Sequence, residues 1–421
     1  MEGSFAMTMK RLSDGAEVSA VAEVQGLYGP FSFPELLLQK IWDQRDFSEC
    51  DARTLDGRTV VISHPGRWNR LGGPDFKNVR LRLDGHEITG DVEVHLREVD
   101  WAAHRHAHDP AYDNVVLHVV LFPPVAGWTV GSQGKRIPVL VLLPLLHRGL
   151  EEYAAEDAVE ALANRPLDHA HEALVAFEPA ELNRLLRRHA VERWKQKVGF
   201  ARERIRRLGW EGACHHAALE ILGYRFNRAP MLAVATEYPL SAWRGEKLET
   251  AGIFEARRER WALQGVRPFN HPRLRLRQYG AWTAARPDWP ERLKGMTSIL
   301  KAAAESAGEG STTRVARKAA RLTALRERLA DDLCADVVTG SRFDNLVCDG
   351  FLPLLAADAV GDTGLGLEAL WREWFAGDAP ADRVRLLRRL DVFGGAAKPS
   401  AHGPLQGLLG WMLERDRPQG G

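Results

Sequence analysis

Hydrophobic and polar positions alternate strictly through the first third of this chain and then give way to a helical period. From Gly72 to Leu96 the sequence reads GGPDFKNVRLRLDGHEITGDVEVHL, which predicts two strands joined by a tight turn. In the second strand Val92, Val94 and Leu96 alternate with Asp91, Glu93 and His95, so one face is apolar and the other carries two carboxylates and an imidazole. Upstream, Ser32, Pro34 and Glu35 open a predicted helix that Leu36, Leu37, Lys40 and Ile41 continue to Gln44. Thr54 to Ile62 predicts a hairpin turning at Asp56-Gly57, followed by a Gly-rich loop from His64 to Gly73. Asp100 to His108 predicts a short helix N-capped by Asp100 and closed before Pro110. Asn114 to Phe122 is almost continuously apolar, as a central strand covered on both faces would be, and Ile137 to Leu143 predicts another strand.

Beyond Leu150 the period becomes helical. Leu182, Leu185, Leu186, Trp194, Val198, Ala201, Ile205 and Leu208 fall near one face of a helix from Glu181 to Leu208. Further helices are expected at Gly212 to Leu222, Thr297 to Ala307, Thr313 to Cys334 and Gly366 to Phe375. The predicted architecture is an α/β domain over residues 28–150 and a mainly α-helical region over 151–415. Residues 1–27 read as a flexible lead-in and 416–421 as a flexible tail.

Composition changes this picture little. The 421 residues are 45% hydrophobic and 27% charged, as in an ordinary globular protein, and no run reaches membrane-spanning length. The net charge of +1 leaves any nucleic-acid contact to local patches. Such patches exist on predicted helices: Arg187, Arg188, Lys195, Lys197, Arg204 and Arg206 in one run, and Arg314, Arg317, Lys318, Arg321, Arg326 and Arg328 in another. They are either solvated surface or a groove for a phosphate backbone. The four cysteines have no C-x-x-C spacing, which with the absence of a signal peptide predicts a reducing cytoplasmic compartment and no membrane partner. No G-x-x-x-x-G-K-[ST] motif occurs, so an ATP-driven step would need a protein partner.

The acidic strand face carries the chemistry. Carboxylates and an imidazole at i, i+2 suit Mg²⁺ or Mn²⁺, and Zn²⁺ is compatible. Asp75 is the natural partner of Glu93, but on a regular strand it shares a face with Val79, Leu81 and Leu83. It reaches Glu93 only if it precedes the strand or a bulge intervenes. His104, His106 and His108 read as a polar turn or, for His104 and His108, as metal ligands on one helical face. His118, inside an apolar strand, reads as a core histidine.

The residues Gly73-Pro74-Asp75-Phe76, Gly90-Asp91-Val92-Glu93-Val94-His95, Asp100-Trp101, His104-x-His106, Tyr112-x-Asn114 and Leu117-His118 resemble a bacterial family known as domain of unknown function 2851. Leu222-Gly223-Tyr224-x-x-Asn227 and Arg267-Pro268-x-Asn270-x-Pro272 extend the resemblance, which runs from Tyr28 to Leu355. More distantly, Pro74-Asp75 and Glu93-x-His95 resemble the PD-(D/E)XK, restriction-endonuclease-like nucleases. That resemblance implies a divalent-metal-dependent nuclease cleaving DNA or RNA, with Asp75 and Glu93 as Mg²⁺ or Mn²⁺ ligands. His95, in place of the Lys of the pattern, is then base or third ligand. Glu35 is either a helix-start charge or, as in some of these nucleases, a first-helix acid reaching the site. The rival expectations are a non-catalytic nucleic-acid-binding or scaffold protein, and a metal-dependent hydrolase of a small molecule using His95 with His104 and His106.

Overall fold

The computed structural model describes residues 20–27, 29–124, 127–224, 226–244, 248–308, 312–359, 366–393 and 400–416. They fall into two compact units, one ending at Ala155 and the other beginning at Glu156. In the first unit β1 (Val21–Gly26) pairs antiparallel with β2 (Gly29–Pro34). This corrects the expectation of a loose lead-in up to residue 27: Ala22 and Val24 are buried on one face of β1, and that burial fixes the strand. The earlier part of the expected lead-in, residues 1–19, and the tail from 417 to 421 lie outside the described residues.

Helix α1 (Glu35–Gln44) ends where expected but begins later, because Ser32 lies in β2 and Pro34 stands at the N-cap. Then come β3 (Val60–His64), β4 (Arg67–Trp68), β5 (Phe76–Leu83), β6 (His86–His95), α2 (Val99–Ala103), β7 (Val115–Val120), β8 (Trp128–Val130) and β9 (Arg136–Val141). The main sheet is mixed, in the order β3-β5-β6-β7-β9-β8 with β4 on β5. Strand β5 runs antiparallel to both β3 and β6, while β6, β7 and β9 run parallel. Leu37, Leu38, Ile41 and Trp42 of α1 share one core with Phe76, Val79, Leu81, Val92, Val94, Leu117 and Val119 of the sheet. Gly90 is required where β6 passes β7, because a Cβ there would stand 2.3 Å from a Val116 methyl.

A bulge settles the parity of Asp75. Phe76 pairs with Val92 and Val79 with Gly90, so the register slips by one residue between them. Asn78, at φ 58°, takes the left-handed conformation that Asn tolerates better than other L-residues, and its N–H donates to Asp91 Oδ1 at 3.0 Å. The slip turns Asp75, just before β5, onto the face opposite Phe76, Val79, Leu81 and Leu83, and sets it across from Glu93. Asn78→Val, with a β-branched side chain at positive φ, is expected to lower stability by roughly 1–2 kcal/mol, whereas Asn78→Gly keeps the bulge. Urea unfolding of the two variants checks this.

The second unit is helical. Helix α3 (Pro179–Gly223) joins two helices expected separately, with Gly209 at φ 68° and ψ 175° as the break between them. The single helix expected from Thr313 to Cys334 is divided into α4 (Thr313–Ala319) and α5 (Leu322–Cys334), with Arg321 left-handed between them. Trp194, Trp243, Trp282, Trp289, Trp371 and Trp374 fill the core of this unit. No described helix is long and apolar enough to cross a membrane.

Candidate metal centre

The carboxylates and imidazoles meet at one end of β5 and β6. The Asp75 N–H donates to Glu93 Oε2 at 3.0 Å, and Asp75 Oδ2 in return accepts from the Val94 N–H at 3.0 Å. Its Oδ1 accepts from Gln39 Nε2 at 2.7 Å, so α1 steers the Asp75 carboxylate. Glu35, the first residue of α1, joins this group. Burial, and then the Asp75, Glu93 and Asp100 carboxylates, push its carboxyl up to about 9 against the N–H of Leu96, which pulls downward. Glu35 Oε2 is buried with no hydrogen-bond partner among the described residues. The helix-start acid thus lies close enough to these carboxylates to feel their charge.

On its other side Glu93 faces histidines. Its Oε1 lies 3.4 Å from His95 Nε2 and 3.2 Å from His106 Nε2. His95 Nε2 is also 3.2 Å from His104 Nδ1, while His95 Nδ1 is 2.9 Å from His118 Nε2. His118 Nδ1 continues to Thr129 Oγ1 on β8 at 2.7 Å. Burial, helped by the surrounding imidazoles, drives the His95 ring well below its ordinary value, and burial brings His118 down to about 3. Both rings are therefore neutral near pH 7.

The helix expected from Asp100 to His108 ends early. Helix α2 stops at Ala103, Arg105 turns left-handed at φ 62°, and a single 3₁₀ turn spans His106–His108. That reversal swings His104 and His106 toward His95, whereas an unbroken helix would have paired His104 with His108. His106 is stacked on Tyr112 at 3.8 Å between centroids, and Trp101 packs edge-on against His106 at 5.2 Å. Sequence reasoning missed the part played by His118, Thr129 and Gln39. Only a buried polar residue in an apolar run signalled the first of these.

Residues 35–254 match the family described as a protein of unknown function, DUF2851, more than half of the 421 residues. The chain belongs to this family. The DUF2851 match begins at Glu35 and includes every residue of the centre, but stops well short of the Leu355 to which the sequence resemblance extends. No curated protein and no solved structure matches the chain.

The remaining cations take other roles. Lys77 Nζ is 3.2 Å from Asp91 Oδ2, so it is anchored beside the bulge and does not stand in for the Lys of the nuclease pattern. The six cations chosen for nucleic acid on α3 divide. Arg187 and Arg188 are exposed, and Lys195 and Arg206 are exposed beside Glu192 and Glu203 of their own helix. Lys197 and Arg204 turn inward instead, to Asp349 at 2.6 Å and to the buried Glu220 at 2.7 Å. In the second run Arg317 donates to the carbonyls of Glu373, Trp374 and Ser400, and Arg326 forms a two-pronged pair with Asp344.

Proposed function

We propose that the N-terminal unit is a divalent-metal-dependent phosphodiesterase that cleaves DNA or RNA, built on a restriction-endonuclease-like core. The observation that carries this reading is the meeting of Asp75 with Glu93 across the bulged strand pair, with Glu35 brought in from the first helix. A helix, three antiparallel strands, a short helix and a parallel strand succeed one another in the order that such nucleases use.

The residues fit a hard cation. Three carboxylates lie near one another, one of them with a buried oxygen that has no hydrogen-bond partner among the described residues and with its proton retained through burial and then its neighbours' charge. Asp75, Glu93 and Glu35 would hold Mg²⁺ or Mn²⁺, which when bound activates water and neutralises charge on phosphoryl oxygens. The protein's own part is orientation. Gln39 and the Val94 N–H hold the Asp75 carboxylate, and the Asp75 N–H holds one oxygen of Glu93. His95 is not assigned the base role here, because each of its ring nitrogens already faces another imidazole. Contact with nucleic acid falls to the outward cations Arg187, Arg188, Lys195 and Arg206, with Lys197 and Arg204 withdrawn from the set.

The test is cleavage of linear DNA and structured RNA by the full chain in Mn²⁺ and in EDTA. Metal-dependent cleavage that Asp75→Asn removes is the expected result. The absence of cleavage of either polymer in Mn²⁺, or cleavage undiminished in Asp75→Asn, contradicts the reading.

A further inference from the structure

The geometry points to a second metal site on the opposite face of Glu93, a zinc site formed by His95 Nε2, His104 Nδ1, His106 Nε2 and Glu93 Oε1. A tetrahedral zinc with ligands at about 2.0–2.1 Å separates its donors from one another by about 3.3 Å. Here three donor pairs stand at 3.2 Å (His95 to His104), 3.4 Å (His95 to Glu93) and 3.2 Å (His106 to Glu93). One ring nitrogen from each of the three histidines lies within 4.8 Å of the other two, and Glu93 adjoins this group through His95 and His106. Three imidazoles with one carboxylate is a donor set for a borderline-soft ion, unlike the all-oxygen set on the other face.

The competing arrangement is a ring of histidines joined by hydrogen bonds alone. It meets a difficulty at His95 Nε2, which carries one hydrogen at most yet faces both a carboxylate oxygen and a second imidazole nitrogen. A cation among the donors satisfies all of them together. The outer shell is also of the kind that metal-bound histidines carry. A proton on His95 Nδ1 is donated to His118 Nε2, which places the His118 proton on Nδ1 against Thr129 Oγ1, and the lone pair of His95 Nε2 is left pointing at the site. Trp101 and Tyr112 wall the site on the His106 side.

Glu93 thus borders both sets, offering Oε1 to the imidazoles and Oε2 toward Asp75. Two cations sharing one carboxylate form an arrangement used in many phosphoryl-transfer centres, where the metals stand about 3.5–4 Å apart. The histidines then complement the phosphodiesterase reading without depending on it, since zinc binding is measured with no substrate present.

The full chain is stripped with EDTA, reloaded with Zn²⁺, passed through a desalting column and assayed for metal content, and a parallel sample is titrated with Co²⁺. The expected results are about one zinc retained per chain and intense visible bands of four-coordinate cobalt. His104→Ala, at an exposed position, is expected to lose both signals. His108→Ala, two residues beyond His106 and itself exposed, is expected to keep them. Zinc content near zero in the wild type, retention unchanged in His104→Ala, or loss in His108→Ala equal to that in His104→Ala would each overturn the site. If the nuclease test fails while zinc binding follows His104, the phosphodiesterase reading falls and the zinc site stands.

Discussion

Glu93→Gln is expected to reduce metal-dependent cleavage by at least about 10²–10³-fold and to weaken metal retention on both faces of the centre. The substitution keeps the shape of the side chain and removes its charge, and Glu93 is where the two donor sets meet. Its amide must also present either an N–H₂ to the Asp75 N–H, which is a clash of donors, or one to His95 and His106, which replaces a ligand oxygen. Fold stability is expected to change far less than activity, because the sheet on either side is held by Val92, Val94 and Leu96 in the apolar core. Cleavage rates beside thermal unfolding curves check this. Wild-type activity in Glu93→Gln would remove the residue from the chemistry.

The second large effect concerns pH. In the metal-free chain the Glu35 carboxyl stands near 9, against an ordinary value of 4.5. Between those values the folded state holds a proton that the unfolded state has released. Stability from this group is therefore complete below the unfolded value and is lost as pH rises through the folded one. At about 1.4 kcal/mol per unit the shift sets a ceiling, and the loss by pH 9 is expected on the order of a few kcal/mol once relaxation and water entry are allowed for. Glu35→Gln imitates the protonated form at every pH. In EDTA it is expected to be close to wild type near pH 4.5, already somewhat more stable at pH 6 and clearly more stable at pH 9, as read by urea unfolding. Mn²⁺ should flatten the wild-type slope by offering the ionised carboxylate a partner. Parallel pH profiles for the two proteins would show that Glu35 ionises normally.

Much of the first unit was legible because its signals are local. The existence and end of α1, the hairpin of β5 and β6, and the buried β7 follow from periodicity and turn residues within a few positions. Asp75 and Glu93 were legible as a pair of acids, but their meeting depends on Asn78 adopting positive φ, and a side-chain pattern carries no record of that. The turn at Arg105 was hidden in the same way. It made the difference between His104 pairing with His108 on a helix and His104 joining His95 and His106. His118 is the buried, satisfied core histidine that its apolar strand suggested, but its partner Thr129 sits on a three-residue strand that no run of apolar residues announces.

The helical unit shows the converse limit. An amphipathic period identifies which face of α3 is polar, yet it does not say what the polar face meets. Lys197 and Asp349 are 152 positions apart, so their pairing could not be read from the helix, and two of the six expected phosphate contacts are spent inside the unit. Residues 21–26 were misread for a related reason. Their apolar positions are few, and their strand depends on pairing with Gly29–Pro34.

The most direct test of the account is anomalous diffraction from crystals of the full chain soaked in Mn²⁺. The account predicts an anomalous peak with oxygen ligands at about 2.2 Å drawn from Glu93, Asp75 and Glu35. A well-ordered structure in saturating Mn²⁺ with no peak beside Glu93, or with the metal held away from Asp75 and Glu35, would contradict the proposal that this end of the sheet is a metal-dependent catalytic centre.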